Sequence, residues 1–185
     1  MLYEKSRELE RLSMERWLSD EVFSFGWFLM LGILIVFYAV WLKLLDKRRI
    51  TELLLIGSLT AVVKSLNSMF LGQLLGLAEY TIRLVPAQSN IFITSLTISP
   101  IIVMLAEQYS STWGGYIIRT GIGFALLCFG IFSLYVLVGA LKFYNWNVFY
   151  HILVLFALAM VVRCAFLWIT GIQARHGEKT AGNVE

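Results

Sequence analysis

VFSFGWFLMLGILIVFYAVWLKLL, Val22 to Leu45, runs for 24 residues with Lys43 as its single charge. The hydrocarbon core of a bilayer is about 30 Å thick and a helix rises about 1.5 Å per residue, so about 20 largely apolar residues make one crossing. The stretch is long enough, and it predicts a membrane-spanning helix. It starts after 21 residues of mixed charge and exceeds the usual apolar region of a signal peptide, so it should remain in the mature protein.

Four further segments read the same way, near 50–77, 88–109, 116–142 and 148–172. Together they predict an all-α integral membrane bundle of five transmembrane helices over residues 22–172. A charged N-terminal surface helix over 1–21 precedes it, and a flexible C-terminal tail over 173–185 follows. Short connections should make consecutive helices antiparallel neighbours. Strands are the weaker reading, because the runs are continuously apolar and a spanning sheet would have to close into a barrel. The composition, 59% hydrophobic and 15% charged, leaves little for a soluble catalytic domain.

In the N-terminal segment Glu4 with Arg7 and Glu8 with Arg11 have helical spacing, and Ser19 or Asp20 could cap the first spanning helix. Basic residues divide six against six between the two sides of a five-span bundle. The turn LDKRRI packs three of them together, which favours placing that turn and the C terminus in the cytoplasm. The net charge of +3 is modest and points to no nucleic-acid partner, whereas basic clusters beside the spans suit anionic lipid headgroups. Cys128 and Cys164 lie inside predicted spans without paired spacing, so neither a disulfide framework nor a metal site is read.

The second segment carries a packing pattern. Gly57, Ala61, Ser65, Ser68, Gly72 and Gly76 recur at steps of three or four and form one narrow face of small residues, over which another helix can approach closely. That face suits packing within the bundle ahead of a dimer seam. The third segment is the most polar, with Asn90, Thr94, Ser95, Thr97, Ser99, Glu107 and Gln108 around Pro100. Proline deprives one carbonyl of its donor and should bend this helix, which belongs inside the bundle or along a polar cavity.

Four ionisable residues fall within the predicted spans: Lys64, Glu107, Arg119 and Arg163. Each costs about 2.5 to 3.5 kcal/mol near the bilayer centre, so each should meet protein, water or headgroups. Glu107 and Arg119 flank the short gap SSTWGG, and a hairpin could pair them. Arg163 lies about 14 Å in from the C-terminal end of its segment. Its side chain tilts the wrong way to reach that surface, which favours a protein partner or internal water. Lys64 lies about 21 Å in on the second segment, near Asn67. Three cations against one carboxylate leave a positive surplus unless Lys64 is held neutral.

Enzymatic chemistry has no visible carrier. His151 and His176 are far apart, and no HExxH, GxSxG, phosphate-binding glycine loop or carboxylate pair is present, so neither catalysis nor a cofactor is expected. His151 reads as an interfacial histidine.

The order WLKLLDKRR (41–49), LGLAEYTIRLVP (75–86), PIIVMLAEQY (100–109) and NWNVFYHI (145–152) resembles an uncharacterised family of small five-span membrane proteins from spore-forming Gram-positive bacteria. The resemblance covers nearly everything from Trp17 to Trp168. It implies a bacterial cell-membrane location and topology, and no reaction. Relatives tend to have an aromatic residue where Glu107 stands, and often an acid in the second half of the second span, where this chain has Asn67.

Two functional readings follow. One is a non-enzymatic membrane component that binds anionic lipid, another membrane protein or a second copy of itself through the positively charged bundle. The other is a small oligomeric transporter or channel for an anion, lined by Lys64, Arg163, Asn67 and the polar third helix.

Overall fold

The computed structural model describes residues 2–86, 94–144 and 146–181. Helix α1 (Leu2–Arg16) ends in one wide turn, Trp17–Glu21, and the chain swings round at Phe23, whose φ is 61°. Ser24, and not Ser19 or Asp20, caps helix α2 (Phe25–Leu44): its hydroxyl accepts from the Trp27 amide at 3.3 Å and donates to the Glu21 carbonyl at 2.7 Å. A tight turn, pinned by the Arg48 amide donating to Asp46 Oδ1 at 2.9 Å, leads into α3 (Ile50–Ser68). This helix widens over Met69–Leu74 before it ends.

After the connection comes α4 (Ser99–Gln108), then α5 (Trp113–Ala125), a wide stretch Leu126–Phe132 and the short α6 (Ser133–Leu137). The last helix, α7 (Val148–Ala181), is 34 residues long. Residues 182–185 of the predicted tail lie outside the described residues.

Among the described residues four helical stretches are long and apolar enough to cross a membrane: Phe25–Leu44, Lys47–Leu71, Trp113–Leu137 and Val148–Gln173. The protein is therefore a multi-pass helical membrane protein, but the five-span expectation is corrected. The described part of the third segment falls short of the length requirement. Its described helix comprises the wide turn Thr94–Ile98, of 5 residues, and the 10 residues of α4, about 22 Å in all. Pro100 is the second residue of α4, directly after the wide turn Thr94–Ile98. This short helix is polar because it is enclosed: Thr94, Ser95, Thr97, Ser99 and Glu107 are all buried.

The second and fourth segments also stop short of 77 and 142. Beyond them β1 (Ala78–Tyr80) and β2 (Leu141–Phe143) form an antiparallel ribbon, with Glu79 opposite Lys142 and Tyr80 opposite Leu141. Gly76 and Gly139 supply the positive φ, 62° and 71°, that turns the chain out of each helix into its strand.

Helix α3 lies at the centre and packs on α4 and α7. Leu53 and Ile56 from α3, Ile101 and Val103 from α4, Phe124 from α5 and Leu155 from α7 form the buried core. Helix α2 is peripheral, burying only Gly26 and Met30 and exposing Ile35, Val36, Val40 and Leu42, as suits a helix whose outer face meets lipid.

Glycines mark the closest approaches. A Cβ on Gly123 would stand 2.5 Å from Ile102 Cγ2, where α5 crosses α4, whereas Gly32 on α2 has nothing within 4 Å. Gly123→Leu should thus cost about 1–3 kcal/mol through overpacking against a stiff β-branched neighbour. Thermal unfolding in detergent should show a clearly lowered midpoint for that variant and an unchanged one for Gly32→Leu.

Candidate functional site

The two ends of the bundle are built around different ion pairs. At the end where α1 lies, Arg83 grips Glu21 with two side-chain bonds, Nε to Oε2 at 2.9 Å and Nη2 to Oε1 at 2.7 Å, and its backbone amide adds a third at 2.8 Å. Arg83 Nη1 also donates to Ser13 Oγ at 2.7 Å, which ties α1 to the connection after β1. Trp17 Nε1 donates to the Arg83 carbonyl at 2.9 Å, and Trp27 Nε1 to that of Leu84 at 3.3 Å. Hydrogen bonding to Glu21 raises the pKa of Arg83 further above its ordinary value, against the effect of burial, so the clamp stays charged.

This clamp holds α1 beside a cavity of about 620 Å³, well within the size range of small-molecule sites. Leu9 and Leu12 of α1, Leu71 and Leu77 of the second segment, and Phe132 and Phe143 give it apolar walls. Lys64 of α3 lines it, as do Asn67 and Ser68 about one turn further along the helix. Lys64 is buried and makes no ion pair among the described residues.

Two aromatic side chains complete the polar part of the wall. Burial pushes the Tyr80 phenol up to about 12, so it remains an O–H group, 3.4 Å from Thr94 Oγ1. His151 lies against the rings of Phe132 and Phe143, and its Nδ1 accepts from Trp146 Nε1 at 3.4 Å. In a neutral imidazole that bond assigns the proton to Nε2. Nε2 is buried without a partner, so the ring offers a free N–H donor in the cavity wall.

At the opposite end Arg163 Nε stands 2.9 Å from Glu107 Oε2, both residues being 4% exposed. The guanidinium carbon lies 4.5 Å from the Trp113 ring centre and 4.3 Å from that of Tyr116, and Nη1 donates to the Thr112 carbonyl at 3.3 Å. Glu107 thus pairs with Arg163 and not with Arg119. Arg119 is exposed, and its Nη1 donates to Ser110 Oγ at 3.1 Å. Gln108 ties the same end together: its Nε2 donates to the Leu44 carbonyl at 2.7 Å and its Oε1 accepts from the Asp46 amide at 3.0 Å.

The small-residue face divides along its length. Gly57 is buried against Met104, whose Sδ would be 2.7 Å from an added Cβ, and Ser68 Oγ is 2.7 Å from Ser95 Oγ. These contacts join α3 to the third segment. Ala61 borders a second, lipid-side hollow of about 200 Å³, Ser65 Oγ is buried without a partner, Gly72 lies in the wide turn and Gly76 beyond it. Asn90 lies outside the described residues.

No family model, curated protein or solved structure matches this chain.

Glu21 and Arg83 were not among the residues singled out from sequence, and His151 was read as merely interfacial. Glu21 and Arg83 sit beside spans and His151 in the first turn of the last one, so all three looked like ordinary boundary residues; the conspicuous signal was LGLAEYTIRLVP, which carries Tyr80 and Arg83 and contributes to the cavity wall. Among the described residues no cluster of His, Cys, Asp and Glu could hold a metal ion.

Removing one member of a buried ion pair strands the other, at a typical cost of about 3–5 kcal/mol. Arg163→Met should therefore strongly lower stability in detergent, while the double change Arg163→Met with Glu107→Leu should recover most of the loss. Thermal midpoints of the single and double variants measure the coupling.

Proposed function

We propose that this protein is a non-enzymatic membrane component that takes up a single-chain amphiphile with an anionic head, held in the cavity beneath α1. One observation carries the reading: Lys64 lines a largely apolar cavity without a carboxylate partner among the described residues. Arg163 has its charge matched by Glu107, and Arg119 is exposed. Of the three intramembrane cations, Lys64 is the one left to attract a ligand.

The chemistry of the wall selects the ligand class. An anionic head would accept from the Lys64 ammonium and from the Nε2–H of His151, with Asn67 within the same lining. The chain would lie along Leu71, Leu77, Phe132 and Phe143 under the leucines of α1. A charge buried without its counter-ion is costly, so the anion and Lys64 each offset the desolvation of the other.

The basic turn Lys47–Arg49 lies at the end opposite the cavity, and the positive-inside tendency assigns that turn to the cytoplasm. In a bacterial cell membrane the cavity would then open towards the outer face, with the C terminus inside: the enclosed third segment, too short to count as a span, still returns the chain from the cavity end to the Leu44 end, where Gln108 bonds the Leu44 carbonyl, and α7 runs from His151 at the cavity to Arg163 at that same end. A reporter fused after Glu185 should be active only as a cytoplasmic reporter; activity of an external reporter there would reverse the orientation.

Binding tests the ligand class directly. Purified protein in mild detergent should bind a fluorescent long-chain carboxylate, and Lys64→Met should weaken it by about tenfold or more, equivalent to about 1.4 kcal/mol. The methyl ester of the same chain should bind wild type and variant alike. Equal binding of the carboxylate to both proteins would sink the proposal.

A further inference from the structure

Helix α1 borders the cavity without packing tightly into it. Leu9 and Leu12 line the space, yet they remain 68% and 50% exposed, whereas Leu53 and Leu155 of the core are 1% and 2% exposed. An apolar face left so open gives α1 little hydrophobic hold on the bundle. Hydrogen bonds to one residue, Arg83, secure it instead.

Arg83 makes two sets of contacts. In the first, its amide, Nε and Nη2 all donate to the buried Glu21 carboxylate. Glu21 is fixed in turn to the start of α2, because the Ser24 hydroxyl donates to its carbonyl at 2.7 Å. This set anchors Arg83 to the bundle. The second set reaches α1 and the residue after it: Nη1 donates to Ser13 Oγ at 2.7 Å, Nη2 to the Ser13 carbonyl at 3.3 Å, and the Arg83 carbonyl accepts from Trp17 Nε1 at 2.9 Å. Arg16 adds a looser contact to Glu21 at 3.8 Å, and its exposure makes it weak. Losing the second set would release α1 and leave the anchor in place.

The chain between latch and anchor is suited to bending. The wide turn Trp17–Glu21 starts at a latch residue and ends at the anchor, and such turns are rare, weaker interruptions of a helix. Just beyond it Phe23 stands at a φ of 61°, a backbone conformation that a bulky residue keeps only while its surroundings hold it. Hinges are typically a few residues at the end of an element, placed as these are.

We infer that α1 is a hinged lid over the cavity: it swings at Trp17–Glu21, is latched to Arg83 through Ser13 and Trp17, and closes when an apolar chain fills the space beside Leu9 and Leu12. The inference rests on the reading that the cavity takes a single-chain amphiphile. A bound chain covers the two leucines and adds the burial that the empty cavity does not give them. The latch keeps α1 within reach and the chain draws it shut, so ligand and lid favour one another. Elements that must move for a ligand to pass come from the weakly held part of a fold, and α1 belongs to it.

Spin labels on Glu10→Cys and Lys142→Cys, both exposed positions, with Cys164→Ser removing the exposed native thiol, report the separation of α1 from the ribbon by pulsed electron paramagnetic resonance in lipid nanodiscs. The latch variant, Ser13→Ala with Trp17→Phe, leaves Glu21 and Arg83 untouched and should keep wild-type elution and helical circular dichroism. Without ligand it should show a second, longer separation that the latched protein lacks. Adding the long-chain carboxylate should restore the shorter one. The bound carboxylate should leave the latch variant about tenfold faster than the latched protein, in line with the loss of hydrogen bonds to a charged group. One identical separation in both proteins overturns the lid, as does equal release from them or a bound carboxylate that leaves the longer separation in place. If no carboxylate binds either protein, the ligand reading fails by itself, and the separations measured without ligand still decide whether α1 opens.

Discussion

A guanidinium in the interior of a membrane bundle has to be matched, and the contact between Arg163 and Glu107 does this at 2.9 Å. Much of one end of the molecule is arranged to make it possible. Helix α4 delivers Glu107, the first turn of α5 supplies the two rings and the Thr112 carbonyl around the guanidinium, and α7 brings Arg163. The next residue, Gln108, bonds both the last turn of α2 and the backbone beyond it, so the helix that carries the carboxylate is also fastened to the outermost span. The aromatic sandwich and the single carboxylate replace hydration that the bilayer cannot provide.

The second ion pair performs a different task at the other end. Glu21 and Arg83 are held in a bidentate contact with a backbone amide, and Ser13 joins them, so α1 is fixed over the opening between α3 and α7 and not left as a free surface arm. Leu9 and Leu12 of α1 line the cavity there. With both arginine sites internally neutralised, Lys64 is the buried cation that meets no carboxylate among the described residues, and it lines the cavity.

Apolar length is a local property, and so the stretches that became Phe25–Leu44, Lys47–Leu71, Trp113–Leu137 and Val148–Gln173 were legible from the order of residues. Their ends were less so, because Gly76 and Gly139 convert apolar residues that continue the hydropathy signal into a short ribbon. The third segment misled for a related reason: its apolar residues reflect enclosure by neighbouring helices as much as contact with lipid, and hydropathy does not separate the two. The buried charges could be named from sequence, but not their partners. Glu21 meets Arg83 across 62 residues, a separation that no helical spacing encodes. Glu107 had two arginines to choose from, and the nearer one in sequence, Arg119, lies on the exposed side of α5.

Lys64, with no carboxylate partner among the described residues, in the wall of a largely apolar cavity, is the feature on which the proposed ligand rests. An experimental structure of the protein in lipid nanodiscs with a long-chain carboxylate, at a resolution that shows side chains, tests it most directly. The account predicts density for the chain along Leu71, Leu77 and Phe143, with its carboxylate within hydrogen-bond distance of Lys64 Nζ and His151 Nε2. Lys64 paired with a carboxylate of the protein itself, or the chain bound elsewhere with the cavity closed, would contradict it.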